Sequence, residues 1–226
     1  MPNFNVICSK FNIPLNVPTL IYTCPNIMSH TTLDLSLLND ASLGSSVVAV
    51  GLSSDPNPGN LTTLDYFIDD ILLTAGDTNS AELANVIVGK NENLIIKVTD
   101  GPGVTVRATG IEENNAAVVK AGRLAAMAST TANQQSLLFF NNLPNISYAK
   151  GFITVFNTHD TTDCLIEVWV APNTTPTIVE KVQKKLVTAK KSVMIENVLL
   201  LPNERVYVTS SIPGTEFFFS GRIIGA

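Results

Sequence analysis

Leu33-Asp34-Leu35-Ser36-Leu37-Leu38-Asn39 sets leucines at every second position against Asp34 and Ser36 and closes on an asparagine. A period of two is the mark of a strand with one face buried and the other wet. The pattern returns: Leu35-Ser36-Leu37-Leu38-Asn39 matches Ile153-Thr154-Val155-Phe156-Asn157 at a shift of 118. Further matches follow in order on either side. Cys24-Pro25-Asn26-Ile27 matches Leu143-Pro144-Asn145-Ile146 at 119, and Leu72-Leu73-Thr74-Ala75 matches Leu186-Val187-Thr188-Ala189 at 114. Asn85-Val86 with Asn91-Glu92 matches Asn197-Val198 with Asn203-Glu204 at 112, and Thr109-Gly110 matches Ser220-Gly221 at 111. A shift that drifts one way is what a repeat produces when its second copy has lost a few loop residues. The expectation is an internal duplication.

The other alternating runs fall into the same two sets. Val48, Val50 and Leu52 correspond to Ile166, Val168 and Val170; Leu94, Ile96 and Val98 correspond to Val206, Val208 and Ser210; Val104, Val106 and Ala108 correspond to Thr215, Phe217 and Phe219. Turn-forming stretches separate them: Asp55-Pro56-Asn57-Pro58-Gly59, Asp100-Gly101-Pro102-Gly103, Ala171-Pro172-Asn173 and Ile212-Pro213-Gly214. Short strands at this spacing describe an all-β protein of two tandem antiparallel β-sandwich domains, Ig-like or jelly-roll. The expected sandwiches span 18–112 and 133–226, preceded by an N-terminal arm over 1–17 and a linker or arm over 113–132. The alanine-rich Ala116 to Ser129 reads as a short helix or an extended arm, while Pro2, Pro14 and Pro18 keep the first arm from being helical throughout.

Composition agrees with this class. Of 226 residues 45% are hydrophobic and only 15% charged, against roughly 25% charged in an ordinary soluble domain. Thr, Ser and Asn supply the remaining polarity, which suits strand faces and turns. A net charge of −5 with a pI near 5.0 gives no general attraction to nucleic acid or to an anionic membrane. The opening Met1-Pro2-Asn3-Phe4-Asn5 lacks a signal-peptide pattern, and no apolar run approaches membrane-spanning length. The expectation is a soluble chain made in the cytoplasm, with no nucleic-acid or membrane partner. Cys8, Cys24 and Cys164 are odd in number and have no CxxC spacing, which points to buried thiols rather than a disulfide framework or zinc site.

Catalytic chemistry finds no shared footing in the repeat. His159 aligns with Ala41 and Cys164 with Ser46, and His30 lies at the start of a strand. Asp69, Asp70, Asp77, Glu82 and Asp100 are hard oxygen ligands, but the run from Asp77 to Glu82 fails the calcium-loop spacing and the aligned stretch carries Lys184, Lys185, Lys190 and Lys191 instead. Gly101-Pro102-Gly103 lacks the Lys-Ser/Thr end of a phosphate loop. The expectation is a protein that is not an enzyme and holds no cofactor or metal. One feature stands out. Trp169 lies between the inward Val168 and Val170, and Phe218 between Phe217 and Phe219, so both should point away from their core. With Phe4, Ile7 and Phe11 of the apolar arm they form the candidate interface set, since outward aromatics on a low-charge surface often mark contacts; the alternative is that the arm or the other domain covers them.

Leu20-Ile21-Tyr22-Thr23-Cys24-Pro25, a strand ending at Asn39, Asn91-Glu92 and the closing Gly110-Ile111-Glu112-Glu113 together resemble a group of small virion structural proteins of tailed bacteriophages. The second half keeps Phe140, Pro144, Asn157, Asn203-Glu204-Arg205-Val206-Tyr207-Val208 and Gly221 but lacks the acidic tail. The resemblance implies a virion component, on the head as decoration or in the neck or tail, that forms homo-oligomers or binds other virion proteins, without catalytic residues. A carbohydrate- or receptor-binding sandwich is the alternative, with Trp169 near Asn173 as its candidate glycan contact.

Overall fold

In a computed structural model residues 5–39, 44–55, 57–62, 65–76, 78–79, 83–142 and 146–225 are described. The chain divides into two compact units, Met1–Asn115 and Ala116–Ala226. Unit 1 contains β1 (Asn5–Ile13), β2 (Thr19–Thr23), β3 (His30–Asn39), β4 (Ser46–Ser53), β5 (Tyr66–Leu73), β6 (Thr78–Asn79), β7 (Val86–Gly89), β8 (Asn93–Asp100) and β9 (Val104–Glu113). Unit 2 contains β10 (Val118–Ala128), β11 (Ser136–Phe140), β12 (Ile146–Phe156), β13 (Cys164–Ala171), β14 (Lys181–Val187), β15 (Ser192–Leu200), β16 (Arg205–Ser210) and β17 (Glu216–Gly225). Among the described residues no helix is long and apolar enough to cross a membrane.

Strand order decides which sandwich this is. In unit 1 one sheet runs β1-β9-β3-β6, with β7 also on β3, and the other runs β2-β8-β4-β5. In unit 2 the sheets run β10-β17-β12-β15 and β11-β16-β13-β14. In both units the first strand therefore pairs with the last and the second with the next to last, all antiparallel. This is the doubly wound pairing of an eight-stranded jelly roll, with β6 and β7 as two pieces of one strand position. Of the two forms open from sequence, the Ig-like one is set aside.

Register carries the likeness into the cores. Leu35 lies opposite Ala108 and Ile153 opposite Phe219; Val50 lies opposite Ile96 and Val168 opposite Val208. All eight side chains are buried, as the alternation requires. Asparagine handles the tight corners and, at Asn197, a bulge within β15. Asn16 and Asn133, Asn85 and Asn197, and Asn91 and Asn203 hold left-handed backbone at corresponding places, a conformation that asparagine tolerates better than most residues.

Two expectations need correction. The stretches read as an arm and a linker, 1–17 and 113–132, are largely strands. β1 lies along β9, with Ile13 opposite Val104, and β10 lies along β17, with Gly122 opposite Gly221 and Ala126 opposite Phe218. Each is the first strand of its own jelly roll. Pairing along β17 outweighs the helix preference of the alanines in 116–129, because propensity is worth only tenths of a kcal/mol per residue, about 0.7 at most for ordinary ones. The match of Cys24 with Leu143 is also displaced. The Cys24 N–H donates to the Glu92 carbonyl and its own carbonyl accepts from Asn91, and Asn141 does the same with Glu204 and Asn203. Cys24 therefore corresponds to Asn141, two residues before Leu143, which with Pro144 and Asn145 lies outside the described residues.

Candidate functional site

The sequence-derived contact residues do not come together. Phe4 lies outside the described residues, as do Asp77 and Glu82 of the acidic series. Ile7 is half-buried on β1, and Phe11 sits on the same strand between Lys10, opposite Val106, and Ile13, opposite Val104. Trp169 does occupy the outer face of its sheet, as alternation implies, but it is not free. It stands in a row with Lys181 of β14 on one side and Tyr207 of β16 on the other, and Tyr207 in turn faces Leu137 of β11. The Lys181 ammonium lies 5.1 Å from the Trp169 ring centroid, and the residue is only 7% exposed. Phe218 is 1% exposed. Both aromatics are therefore covered, and neither offers a free contact face. Pointing away from one's own core is a property of the strand, whereas exposure depends on what else covers that face.

Electrostatics beside Trp169 are local. Glu167 accepts from Lys181 at 2.7 Å and lies 3.2 Å from Lys184. The Lys181 hydrogen bond, joined by Lys184, holds its carboxyl below the usual carboxylate range. The residues that once invited a catalytic reading are separately engaged. His159 Nε2 is 3.0 Å from the Pro213 carbonyl, Cys164 is buried, and buried His30 lies 2.6 Å from Glu113. Among the described residues no three His, Cys, Asp or Glu groups converge as metal ligands.

What the surface does offer lies on one flank of unit 2. The connection from β13 to β14 contains a 3-10 turn, Ile178–Glu180. Its start is fixed by a capping box in which the Thr177 N–H and hydroxyl donate to the Glu180 carboxylate and the Glu180 N–H donates to the Thr177 carbonyl. That rigid turn holds Ile178 73% and Val179 86% exposed. Beside it an open cleft of about 630 Å³ is lined by Val182, Ile195, Leu199 and Leu201, with Glu196 and Glu204 among its walls. The corresponding connection in unit 1 carries the turn Pro58–Asn60, which buries no residue and is polar. One fold position is thus polar in one unit and strongly apolar in the other. The jelly roll does not require the apolar version. The sequence carried a signal for it in Thr177-Ile178-Val179-Glu180, a capping-box spacing that framed two aliphatic residues inside a loop.

Charge is divided unequally as well. Residues 1–115 carry 4 Lys and Arg against 12 Asp and Glu, a net of −8, and residues 116–226 carry 10 against 7, a net of +3.

No family model matches the chain. No curated protein matches it either. Among solved structures it is similar to the major capsid protein P2 from bacteriophage PM2, at 12% identity and a TM-score of 0.47, with 100% of this chain and 98% of that chain covered. It is also similar to the STIV MCP, at 10% identity and a TM-score of 0.38 over 98% of this chain and 97% of that one. A third similarity is to the cowpea mosaic virus top component, at 10% identity and a TM-score of 0.32 over 98% and 92%.

Proposed function

We propose that the chain is a non-enzymatic structural component of a virus particle, present in many copies that contact one another and other virion proteins. The observation that carries this reading is the rigid apolar turn Ile178–Val179 and the cleft beside it, set where the other unit has a polar turn. A fixed, exposed aliphatic knob stabilises nothing within its own unit. Burial against a neighbour is what gives such residues favourable energy, at roughly 25 cal/mol per Å² of apolar surface. Jelly rolls serve as capsid and lectin domains. The capsid reading is preferred because the only tryptophan, the aromatic platform a glycan site would use, is covered by Lys181. Within the particle the proposal is for a place in or on the head shell, as building or decorating protein, rather than in the neck or tail. The chain is made in a host cytoplasm and ends in the virion.

The test is assembly. In sedimentation velocity the unchanged chain should form oligomers, and Ile178→Asp with Val179→Asp should weaken them while leaving the circular dichroism spectrum and melting temperature intact. Quantitative mass spectrometry of purified particles should find a fixed, high copy number. A monomer at all concentrations that is absent from particles would overturn the reading. Retention on a glycan array would favour the carbohydrate-binding alternative.

A further inference from the structure

β14 ends one sheet of unit 2 and β15 ends the other. The connection over 188–191 joins them, so the two edge strands run back along one flank of the sandwich in opposite directions. The cleft lies between them, with Val182 and Gln183 on one wall and Ile195, Glu196 and Leu199 on the other. Its lining holds Glu180, Glu196 and Glu204 and, among the described residues, no lysine or arginine. A cation stands just outside it. Gln183 and Lys185 lie opposite Val168 and Ile166, both buried, so they share the inward side of β14. Lys185 therefore continues the cleft wall beyond Gln183, and it is exposed. Among the described residues neither Lys185 nor Glu196 has an ion-pair partner. At the other end of the same wall Ile178 and Val179 project.

We propose that this flank binds the same flank of a second copy across a two-fold axis running along the two strands. This deepens the reading above and rests on it. A projection and a cleft side by side on one surface are what a self-complementary contact needs, since a two-fold presents each to the other. The axis has two settings. Laid along the strands, it sets β14 of each copy against β15 of the other. Ile178 and Val179 then meet Leu199 and Leu201, and Lys185 stands over Glu196, twice in each pair of copies. Set across the strands, the axis brings β14 against β14. Lys185 then meets Lys185, and Ile178 and Val179 meet the connection that carries Lys190 and Lys191. Like charges face each other and apolar groups face lysines, both unfavourable, so the charges of the flank select the first setting. Ile178, Val179, Val182, Leu199 and Leu201 are each at least half exposed. They give that contact an apolar centre, and Lys185 with Glu196 gives it a charged rim.

The experiment uses the full chain, with association read by sedimentation velocity and native mass spectrometry as a doubling of mass. Lys185→Glu sets a glutamate against Glu196, and Glu196→Lys sets a lysine against Lys185. Each contact occurs twice, so either variant alone should associate at least about ten-fold more weakly than the unchanged chain. An equimolar mixture of the two should recover association, and so should the chain carrying both changes. Circular dichroism and melting confirm folding. Should either variant fail to fold, Lys185→Gln and Glu196→Gln take their place, with a smaller weakening and a loss of salt sensitivity expected. Folded charge variants that associate like the unchanged chain, or a mixture that does not recover, would overturn the two-fold pairing while leaving assembly itself standing. An unchanged chain that stays monomeric at every concentration would overturn both.

Discussion

Asn39 and Asn157 tie off the same strand end in the two units with the same pair of hydrogen bonds. The Asn39 side-chain amide donates to the carbonyls of Gly44 at 3.0 Å and Leu73 at 3.1 Å, and that of Asn157 donates to the carbonyls of Thr162 at 2.8 Å and Val187 at 3.1 Å. Both residues are wholly buried. Each stitches the end of β3 or β12, in one sheet, to the end of β5 or β14, in the other. Replacing either with alanine leaves one buried carbonyl, of Leu73 or Val187, and one part-buried carbonyl, of Gly44 or Thr162, without that donor and should cost about 2 kcal/mol. Urea denaturation of Asn39→Ala and Asn157→Ala should show similar losses, and a negligible loss in either would contradict the shared role.

Phe218 makes a second case. At 1% exposure its ring behaves as a core group, so Phe218→Ala should destabilise the isolated chain by about 3–5 kcal/mol. Loss of assembly with unchanged stability in chemical denaturation would restore the reading of Phe218 as a free contact residue.

Burial pushes the thiols of Cys24 and Cys164 up from their ordinary range. A thiol with a raised folded pKa contributes stability that is whole below its unfolded pKa, near 8.5, and lost as pH rises through the folded value. In a Cys8→Ser background both remaining thiols should resist a disulfide reagent at pH 8 until denaturant is added, and stability should fall in the alkaline range. Rapid labelling of the native protein would refute the burial.

Glu167 works in the opposite direction. Its lowered pKa means that the contribution of its pairs with Lys181 and Lys184 is present above the unfolded carboxylate pKa, near 4.3, and lost as pH falls through the folded value. Partial exposure keeps it under about 1 kcal/mol. The stability gap between the unchanged chain and Glu167→Gln should therefore be measurable at pH 7 and shrink as pH falls below the usual carboxylate range.

Strand-level organisation was legible in residues because alternation is a local consequence of burying one face. Leu33, Leu35 and Leu37, and likewise Ile153 and Val155, declared which side of each strand faces a core, and their ordered recurrence declared two similar sandwiches. Loop resemblance misled by two residues at Cys24, since a turn's composition does not fix the register of the strand beside it. Strand order was beyond the sequence: an Ig-like and a jelly-roll sandwich ask for the same alternation, and only the pairing of β1 with β9 and β2 with β8 separates them. The two arms became strands for the same reason, because whether an apolar segment finds an open edge depends on residues about a hundred positions away, Val104 for Ile13 and Gly221 for Gly122. Exposure was likewise a tertiary decision. Alternation placed Trp169 on the outer face, but only the folded sheet brings Lys181 over its ring, and only there do Ile178 and Val179 stand uncovered.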